Sequence, residues 1–306
     1  MALTAARELI NRTAAYIESC RVAGGGYYFA RIPPGSPHDT FYAVATLRCL
    51  STAPRDPDGV AAFFQELFNR DALATPPAIY YAVETLALLG KLTPAWQPLG
   101  EKLRSLQEPA GGFWVPQTLW VEAASRLENT LYAVAALTRL GTPFAAAACA
   151  SFVTRELTAA LTKGGLPSLA TIHDAVAILS LLGQPVPDRA ALRAYLYDLC
   201  CQEPGFLEHW YYIVATLQRL GHRPPVPGKI VEFVMACERA RGGFARSPSP
   251  CAIPTILNTF HAVAILCGLG ALPNGRCSHY RWIRRVDAAL HSILADRPPL
   301  RKRDER

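Results

Sequence analysis

The sequence has no continuous apolar run of about 18 residues, the length that a helix needs to cross a bilayer. Its first segment contains Arg7, Glu8 and Arg12, so it lacks the apolar core of a secretory signal peptide. No Cys-x-x-Cys pair occurs among the nine cysteines, which argues against a zinc ribbon and against a dithiol redox motif. These absences predict a cytoplasmic protein whose cysteines serve as small core residues.

The chain also has only a small excess of positive charge outside its C-terminal tail. The net charge is +7, and residues 297–306 supply +3 of it through five basic and two acidic residues. Elsewhere no basic stripe is interleaved with aromatic residues, the pattern typical of a nucleic-acid-binding surface, so we predict no nucleic-acid partner. The sequence has 51% hydrophobic residues, which is enough for a sizeable core. We therefore predict one domain over 1–296, followed by a frayed basic tail over 297–306.

A short apolar motif recurs six times, and each copy carries a valine in the same place. The first copy is "HDTFYAVATLRCL" (38–50) and the last is "NTFHAVAILCGLG" (258–270). The six valines are Val44, Val83, Val134, Val176, Val214 and Val263. The intervals between them are 39, 51, 42, 38 and 49 residues, which suits one pair of helices per repeat.

Each copy predicts a helix that is buried all round, because small and apolar residues occupy nearly every side of it. A second, amphipathic segment precedes each copy and predicts an outer helix. These outer segments are 5–20, 57–70, 97–107, 144–162, 188–202 and 227–241. The pattern therefore predicts an all-α fold, an (α/α)6 toroid of six helix pairs, with one further C-terminal helix near 279–294.

A Gly-aromatic turn connects most outer helices to the inner ones, as in "GGFW" (111–114) and "GGF" (242–244). The unit "GGF … NTFHAVAILCGLG" resembles the repeat of the protein prenyltransferase β-subunit and squalene–hopene cyclase superfamily. At least four of the six units match it, and together they cover roughly residues 20–270. The resemblance implies that the inner helices direct their N-terminal ends at a central cavity that holds an isoprenoid chain.

The resemblance also implies which residues line that cavity. They lie five and three positions before the repeat valines, and Trp114 in a Gly-Gly turn adds to them. The predicted lining comprises Asp39, Phe41, Tyr80, Asn129, His173, His209, Tyr211, Asn258, Phe260 and Trp114. Aromatic faces at these positions would stabilise a carbocation by cation–π attraction, although the same rings would equally suit a filled core.

Class II terpene cyclases of the superfamily protonate an alkene or epoxide with the central acid of an Asp-x-Asp-Asp motif, usually followed by Thr. The stretch "SPHDT" (36–40) matches only the end of this motif, and His38 stands where the proton-donating Asp would be. The resemblance therefore makes Asp39 the candidate catalytic acid and His38 its hydrogen-bond partner. The alternative, which the residues themselves favour, is that Asp39 is the N-cap of a helix, where its side chain would accept a backbone N–H.

The protein prenyltransferases of the superfamily hold zinc with Asp-x-Cys in one unit and His in the next. No inner helix here contains Asp-x-Cys, and the nearest substitutes are His173 and His209, with Thr171 at the Asp position. We therefore predict no metal site and no cofactor. A diphosphate substrate would allow Mg²⁺ as a partner of its charged groups.

The leading hypothesis is a terpene cyclase-like or prenyltransferase-like protein that binds a hydrophobic isoprenoid or terpenoid molecule. If the chain is an enzyme, we expect a proton-initiated, class II-like cyclase, and contact with a membrane surface would fit an apolar ligand. The alternatives are a non-catalytic toroid that binds a protein and a divergent protein prenyltransferase β-subunit. A deep cavity at the inner helix N-termini would favour ligand binding, whereas a centre filled by Phe41, Tyr80, Tyr211 and Phe260 would oppose it.

Overall fold

The computed structural model describes residues 3–115, 125–162 and 168–272. Six inner helices follow the repeat motif: α2 (Pro37–Cys49), α4 (Pro76–Leu88), α6 (Arg126–Leu140), α8 (Leu169–Leu181), α10 (Leu207–Arg219) and α12 (Ile256–Gly268). Six outer helices alternate with them: α1 (Leu3–Ser19), α3 (Pro57–Asn69), α5 (Gln97–Ser105), α7 (Ala146–Thr162), α9 (Arg189–Cys201) and α11 (Pro227–Ala236). The predicted helix near 279–294 and the boundary at 296 lie outside the described residues.

The six inner helices form a closed ring. Each packs against the next one from α2 to α12, and α12 packs against α2. The outer helices α1, α5, α7, α9 and α11 each contact the inner helix that follows them. All six repeat valines are buried in this ring. The predicted all-α toroid of six helix pairs is therefore confirmed over the described residues.

Hydroxyl side chains begin five of the six inner helices. Ser36, Thr75, Ser125, Ser168 and Thr255 are the N-caps, and each accepts a backbone N–H in the first turn. The Ser36 hydroxyl accepts the N–H of Asp39 at 3.3 Å. Asp39 therefore lies in the first turn of α2 and is not its N-cap, although the sequence also allowed that role.

Buried threonines anchor three of the Gly-aromatic turns to the inner helices. The threonine hydroxyl accepts the backbone N–H of the aromatic residue in each turn. The pairs are Thr40 with Tyr27 at 3.0 Å, Thr130 with Phe113 at 3.1 Å and Thr259 with Phe244 at 3.0 Å. The second unit lacks the turn and has Ile79 at the corresponding position. The threonine of the repeat is thus explained by the turn that it holds.

The last unit adds a short antiparallel ladder that the sequence did not predict. It joins β1 (Phe244–Ala245) to β2 (Pro254–Thr255), with Phe244 opposite Thr255. Each strand has only two residues, which is too short to produce a readable alternation of apolar and polar side chains. The ladder lies in the loop before α12, so the all-α ring is unaffected.

Most of the described cysteines are core residues, as the sequence predicted. Cys20, Cys49, Cys149, Cys200 and Cys237 are buried, and the eight described cysteines are free. Burial raises the pKa of the Cys149 thiol to about 12. This thiol therefore stays protonated at neutral pH and packs as a small apolar group. Within the described ranges, no helix combines the length and apolar character that crossing a bilayer requires.

Candidate functional site

A cavity of about 970 Å³ lies inside the ring and takes lining residues from all six inner helices. It begins at the N-caps Ser36, Ser125 and Ser168 and extends to Leu181 and Arg219. The last two are the final residues of α8 and α10. The cavity therefore follows the inner helices over roughly 18 Å, at about 1.5 Å of rise per residue. Its volume is at the upper end of the range usual for ligand pockets.

Each inner helix contributes two adjacent residues to the cavity wall. They occupy the third and second positions before the repeat valine. The six doublets are Phe41–Tyr42, Tyr80–Tyr81, Leu131–Tyr132, His173–Asp174, Tyr211–Tyr212 and Phe260–His261, and all their members line the cavity. The first position of the doublet was predicted from the sequence, and the second was not. The sequence contains a signal for the second position, because large or polar side chains occupy the third and second positions before the valine in every copy.

Four residues that we predicted on the wall are not among the described residues that line it: Asn129, His209, Asn258 and Trp114. The first three lie two residues before the doublet, which is about 200° around a helix from its first member. His209 instead packs beside Phe206, with 40% of its side chain exposed. Trp114 lies under the Arg126 guanidinium, at 5.2 Å from ring centroid to Cζ.

The candidate acid Asp39 and its predicted partner His38 are together at the cavity mouth. Asp39 Oδ1 lies 3.1 Å from His38 Nδ1, and Asp39 Oδ2 accepts the N–H of Phe29 at 3.1 Å. Asp39 is 5% exposed, whereas 40% of the His38 side chain is exposed. Both residues line the cavity. The carboxyl group therefore both fixes the preceding turn and faces the entrance.

Six aromatic rings follow one another around the wall, and we refer to them as the aromatic belt. In order they are Tyr132, Tyr80, Phe41, Tyr42, Phe260 and Tyr211, with successive centroids 4.9, 5.2, 4.9, 5.0 and 5.9 Å apart. The belt passes from α6 through α4, α2 and α12 to α10. Burial raises the pKa of Tyr42, Tyr80 and Tyr132 well above 10.0, so their hydroxyls stay neutral.

On the α8 side, the wall carries a polar cluster formed by His173, Asp174 and Arg219. His173 Nδ1 lies 2.9 Å from Asp174 Oδ1, and Arg219 Nη1 lies 3.3 Å from His173 Nε2. A guanidinium can only donate, so Nε2 accepts and the ring proton is on Nδ1, directed at Asp174. Burial and then the nearby Arg219 charge lower the pKa of His173 well below 6.5, which agrees with a neutral ring.

Two carboxyl groups of this side titrate abnormally. Burial raises the pKa of Asp174 to about 7, although the Arg219 charge opposes the shift. Burial, and then the negative charge of Asp174, also raise the pKa of Glu128 on the adjacent helix α6. The Tyr132 hydroxyl donates to Glu128 Oε1 at 3.3 Å. Asp174 can therefore exchange a proton with a bound molecule near neutral pH.

We expect Asp174→Asn to remove a pH-dependent contribution to stability. The pKa of Asp174 is 3.8 without burial and about 7 in the fold, so between these values the folded state binds the additional proton. The contribution of Asp174 to the free energy of unfolding should therefore fall as pH rises through this window, by up to about 1.4 kcal/mol per unit. The wild type should be the more stable protein, relative to the variant, at the acidic end.

Urea unfolding of both proteins between about pH 4 and 8 measures this difference. Buried His173 and His261 have lowered pKa values and act in the opposite direction, but they are present in both proteins. The exposed Asp198 on α9 supplies a matched control, Asp198→Asn. A difference between wild type and Asp174→Asn that stays constant with pH would contradict the expectation.

The residues do not assemble the zinc site of protein prenyltransferases. His173 is engaged with Asp174 and Arg219, whereas His209 Nε2 lies 4.0 Å from Glu208 Oε1 and away from the wall. In the part of the chain that the structure describes, no group of three or more His, Cys, Asp or Glu residues could hold a metal ion. His173 and His209 therefore do not fit the zinc ion that the resemblance to protein prenyltransferases implies.

Fold and cavity together define a class of protein, the α/α toroids with an aromatic central cavity. The family model for the prenyltransferase alpha-alpha toroid domain matches residues 68–205 and 202–295. Because these matches cover more than half of the chain, the chain belongs to the prenyltransferase alpha-alpha toroid domain family. The suspected resemblance is thereby confirmed at the level of the family. No curated protein matches the sequence.

Proposed function

We propose that the chain binds an isoprenoid molecule in its central cavity. The observation that carries this proposal is a space of about 970 Å³ with the aromatic belt around it. This space lies beside the rings of the belt. Five of the six inner helices contribute a ring to the belt. Aromatic walls bury a branched apolar chain, and their faces attract a carbocation.

The reaction that this cavity would suit is a proton-initiated, class II-like cyclisation. Asp39 would donate a proton to a terminal double bond that enters at the mouth. The O–H bond of Asp39 breaks, a C–H bond forms, and the positive charge is left on the more substituted carbon. The aromatic belt would stabilise that charge, since the ring centroid of Tyr42 lies 4.8 Å from that of His38 at the mouth. A second double bond of the chain would attack the cation to close the ring, and the last cation would lose a proton to water, which restores a double bond. His38, whose side chain is 40% exposed, would take up a proton from solvent and return one to the carboxylate at Oδ1.

We expect Asp39→Asn to abolish cyclisation, because an amide cannot supply the proton. Purified chain would be incubated with squalene and with geranylgeranyl diphosphate, and the products identified by gas chromatography and mass spectrometry. Asp198→Asn, on the outer helix α9, is the control and should keep wild-type turnover. Unchanged turnover in Asp39→Asn would remove Asp39 as the acid. If turnover were lost in Asp174→Asn and kept in Asp39→Asn, the acid would be Asp174 on α8.

A second candidate function is binding of a protein by the rim of the cavity mouth. Four large apolar side chains are exposed in the loops that precede inner helices: Phe29, Ile32, Phe206 and Ile253. Ile32 and Ile253 are 63% and 64% exposed. Such a rim would also suit a membrane surface from which an apolar ligand enters. Mass spectrometry of lipids extracted from the purified chain separates the two functions, because only ligand binding requires an isoprenoid in the extract.

A further inference from the structure

Two residues that line the cavity each carry a buried nitrogen atom without a protein partner. Arg219 Nε and His261 Nδ1 make no hydrogen bond to any described residue, and both residues line the cavity. His261 stacks on Tyr211 with centroids 4.3 Å apart, and burial lowers its pKa to about 3. A buried polar group without a partner is unfavourable, so this wall is suited to a ligand that carries a polar group.

The wall is therefore two-sided. Helices α6, α4 and α2 present rings of the aromatic belt, and α8 presents His173 and Asp174 of the polar cluster. Helices α10 and α12 contribute to both sides, α10 with Tyr211 and Arg219 and α12 with Phe260 and His261. His173 and Asp174 stand at the same helical position as the belt, and Arg219 reaches them from the end of α10. A ligand in contact with both sides would be mostly apolar, with one polar group directed at α8.

The charges of the lining residues discriminate between kinds of polar group. Arg219 is the only lysine or arginine among the described residues that line the cavity, whereas Asp39, Glu128 and Asp174 are carboxylic acids. A diphosphate would place several negative charges beside these acids, with one guanidinium to balance them. A neutral hydroxyl avoids that repulsion. A hydroxyl group also both accepts and donates hydrogen bonds. This matches the wall, where Arg219 and His261 are donors and Asp174 is an acceptor.

We propose that Arg219, His261 and Asp174 bind the hydroxyl group of a terpenoid alcohol. The Arg219 guanidinium and the His261 ring donate hydrogen bonds to the hydroxyl oxygen, and the hydroxyl group donates a hydrogen bond to an Asp174 carboxyl oxygen. His173 is a positioning residue, because it is hydrogen-bonded to Asp174 on one side and to Arg219 on the other. The proposal rests on the proposed function, since it assigns the polar end of the ligand in the same cavity.

The test compares three ligands with one carbon skeleton. They are geranylgeraniol, geranylgeranyl diphosphate and the corresponding hydrocarbon without oxygen, titrated into the purified full chain at neutral pH. We expect the alcohol to bind about tenfold more tightly than the other two, because a hydrogen bond to a charged group contributes about that factor. Isothermal titration calorimetry measures each dissociation constant.

Two variants locate the preference. Arg219→Met should lower the affinity for the alcohol about tenfold and leave that for the hydrocarbon unchanged, because methionine keeps an apolar stem but no donor. His261→Phe keeps a ring against Tyr211 and removes the other donor, so it should act in the same direction. Arg246→Met, at the exposed rim, is the control and should keep the preference. Circular dichroism checks that each variant is folded.

Equal affinity for alcohol and hydrocarbon would overturn the proposal. A preference that survives both Arg219→Met and His261→Phe, or tighter binding of the diphosphate, would also overturn it. In each of these cases at least one of the three isoprenoids still binds, so the proposed function of the cavity stands. Failure of all three ligands to bind would instead overturn the proposed function, and this inference with it.

Discussion

Replacing Arg139 with methionine is expected to lower the free energy of unfolding by about 3–5 kcal/mol. Arg139 Nε and Nη2 donate to the two carboxylate oxygens of Glu84 at 3.1 and 3.0 Å, which joins α6 to its neighbour α4. Glu84 is 3% exposed, and its burial raises the pKa of its carboxyl despite the Arg139 charge. The variant leaves this buried carboxyl group without its guanidinium.

The double variant Arg139→Met/Glu84→Gln tests that explanation, because it removes both charges. It should recover most of the lost stability, since a buried ion pair adds little beyond a well-packed neutral pair. Lys91→Met breaks the exposed pair with Asp58 and should cost less than about 1 kcal/mol. Urea unfolding followed by circular dichroism measures all three. A loss in Arg139→Met as small as that in Lys91→Met would refute the argument.

Gly111→Ala is expected to lower the free energy of unfolding by about 3 kcal/mol or more. Gly111 has φ +101°, a conformation that residues with a side chain rarely adopt. A Cβ atom at this position would also overlap the carbonyl oxygen of Ala148 in α7. The turn before α6 would therefore have to move away from α7, and the buried side chains between them would lose contact.

Gly141→Ala separates the two causes. Gly141 also has a positive φ, +67°, at the C-terminal end of α6, but a Cβ there would meet no atom within 4 Å. This variant should lose only about 1–2 kcal/mol, the cost of the left-handed conformation. Thermal unfolding of the two variants measures the contrast. Equal losses would show that the overlap with α7 is unimportant.

The helix pairs could be predicted from the sequence because their signals are local. The repeat valine identifies each inner helix, and the amphipathic segment before it identifies the outer one. The start of α2 was harder to predict, because Ser36 and Asp39 are both good N-cap residues and lie only three residues apart. The side-chain geometry decides in favour of Ser36, whose hydroxyl accepts the Asp39 N–H.

The cavity wall was only partly predictable, for a geometrical reason. The face of each inner helix that lines the cavity includes both members of the doublet. Phe41 and Tyr80, three positions before the valine, were predicted on the wall, whereas Tyr42 and Tyr81, one position later, were not. The polar cluster depends on the packing of α8 against its neighbour α10. Arg219 and His173 are 46 residues apart, and no local pattern in the sequence connects them.

Closure of the ring by the contact between α12 and α2 restricts how the chain can change its length. In an open solenoid, a terminal repeat can be gained or lost with effects on one neighbour alone. In this ring, the loss of one helix pair would force every remaining interface to turn through a larger angle. The copy number of the repeat is therefore held at six. Variation in repeat length, from 38 to 51 residues between valines, is absorbed in the outer helices and loops.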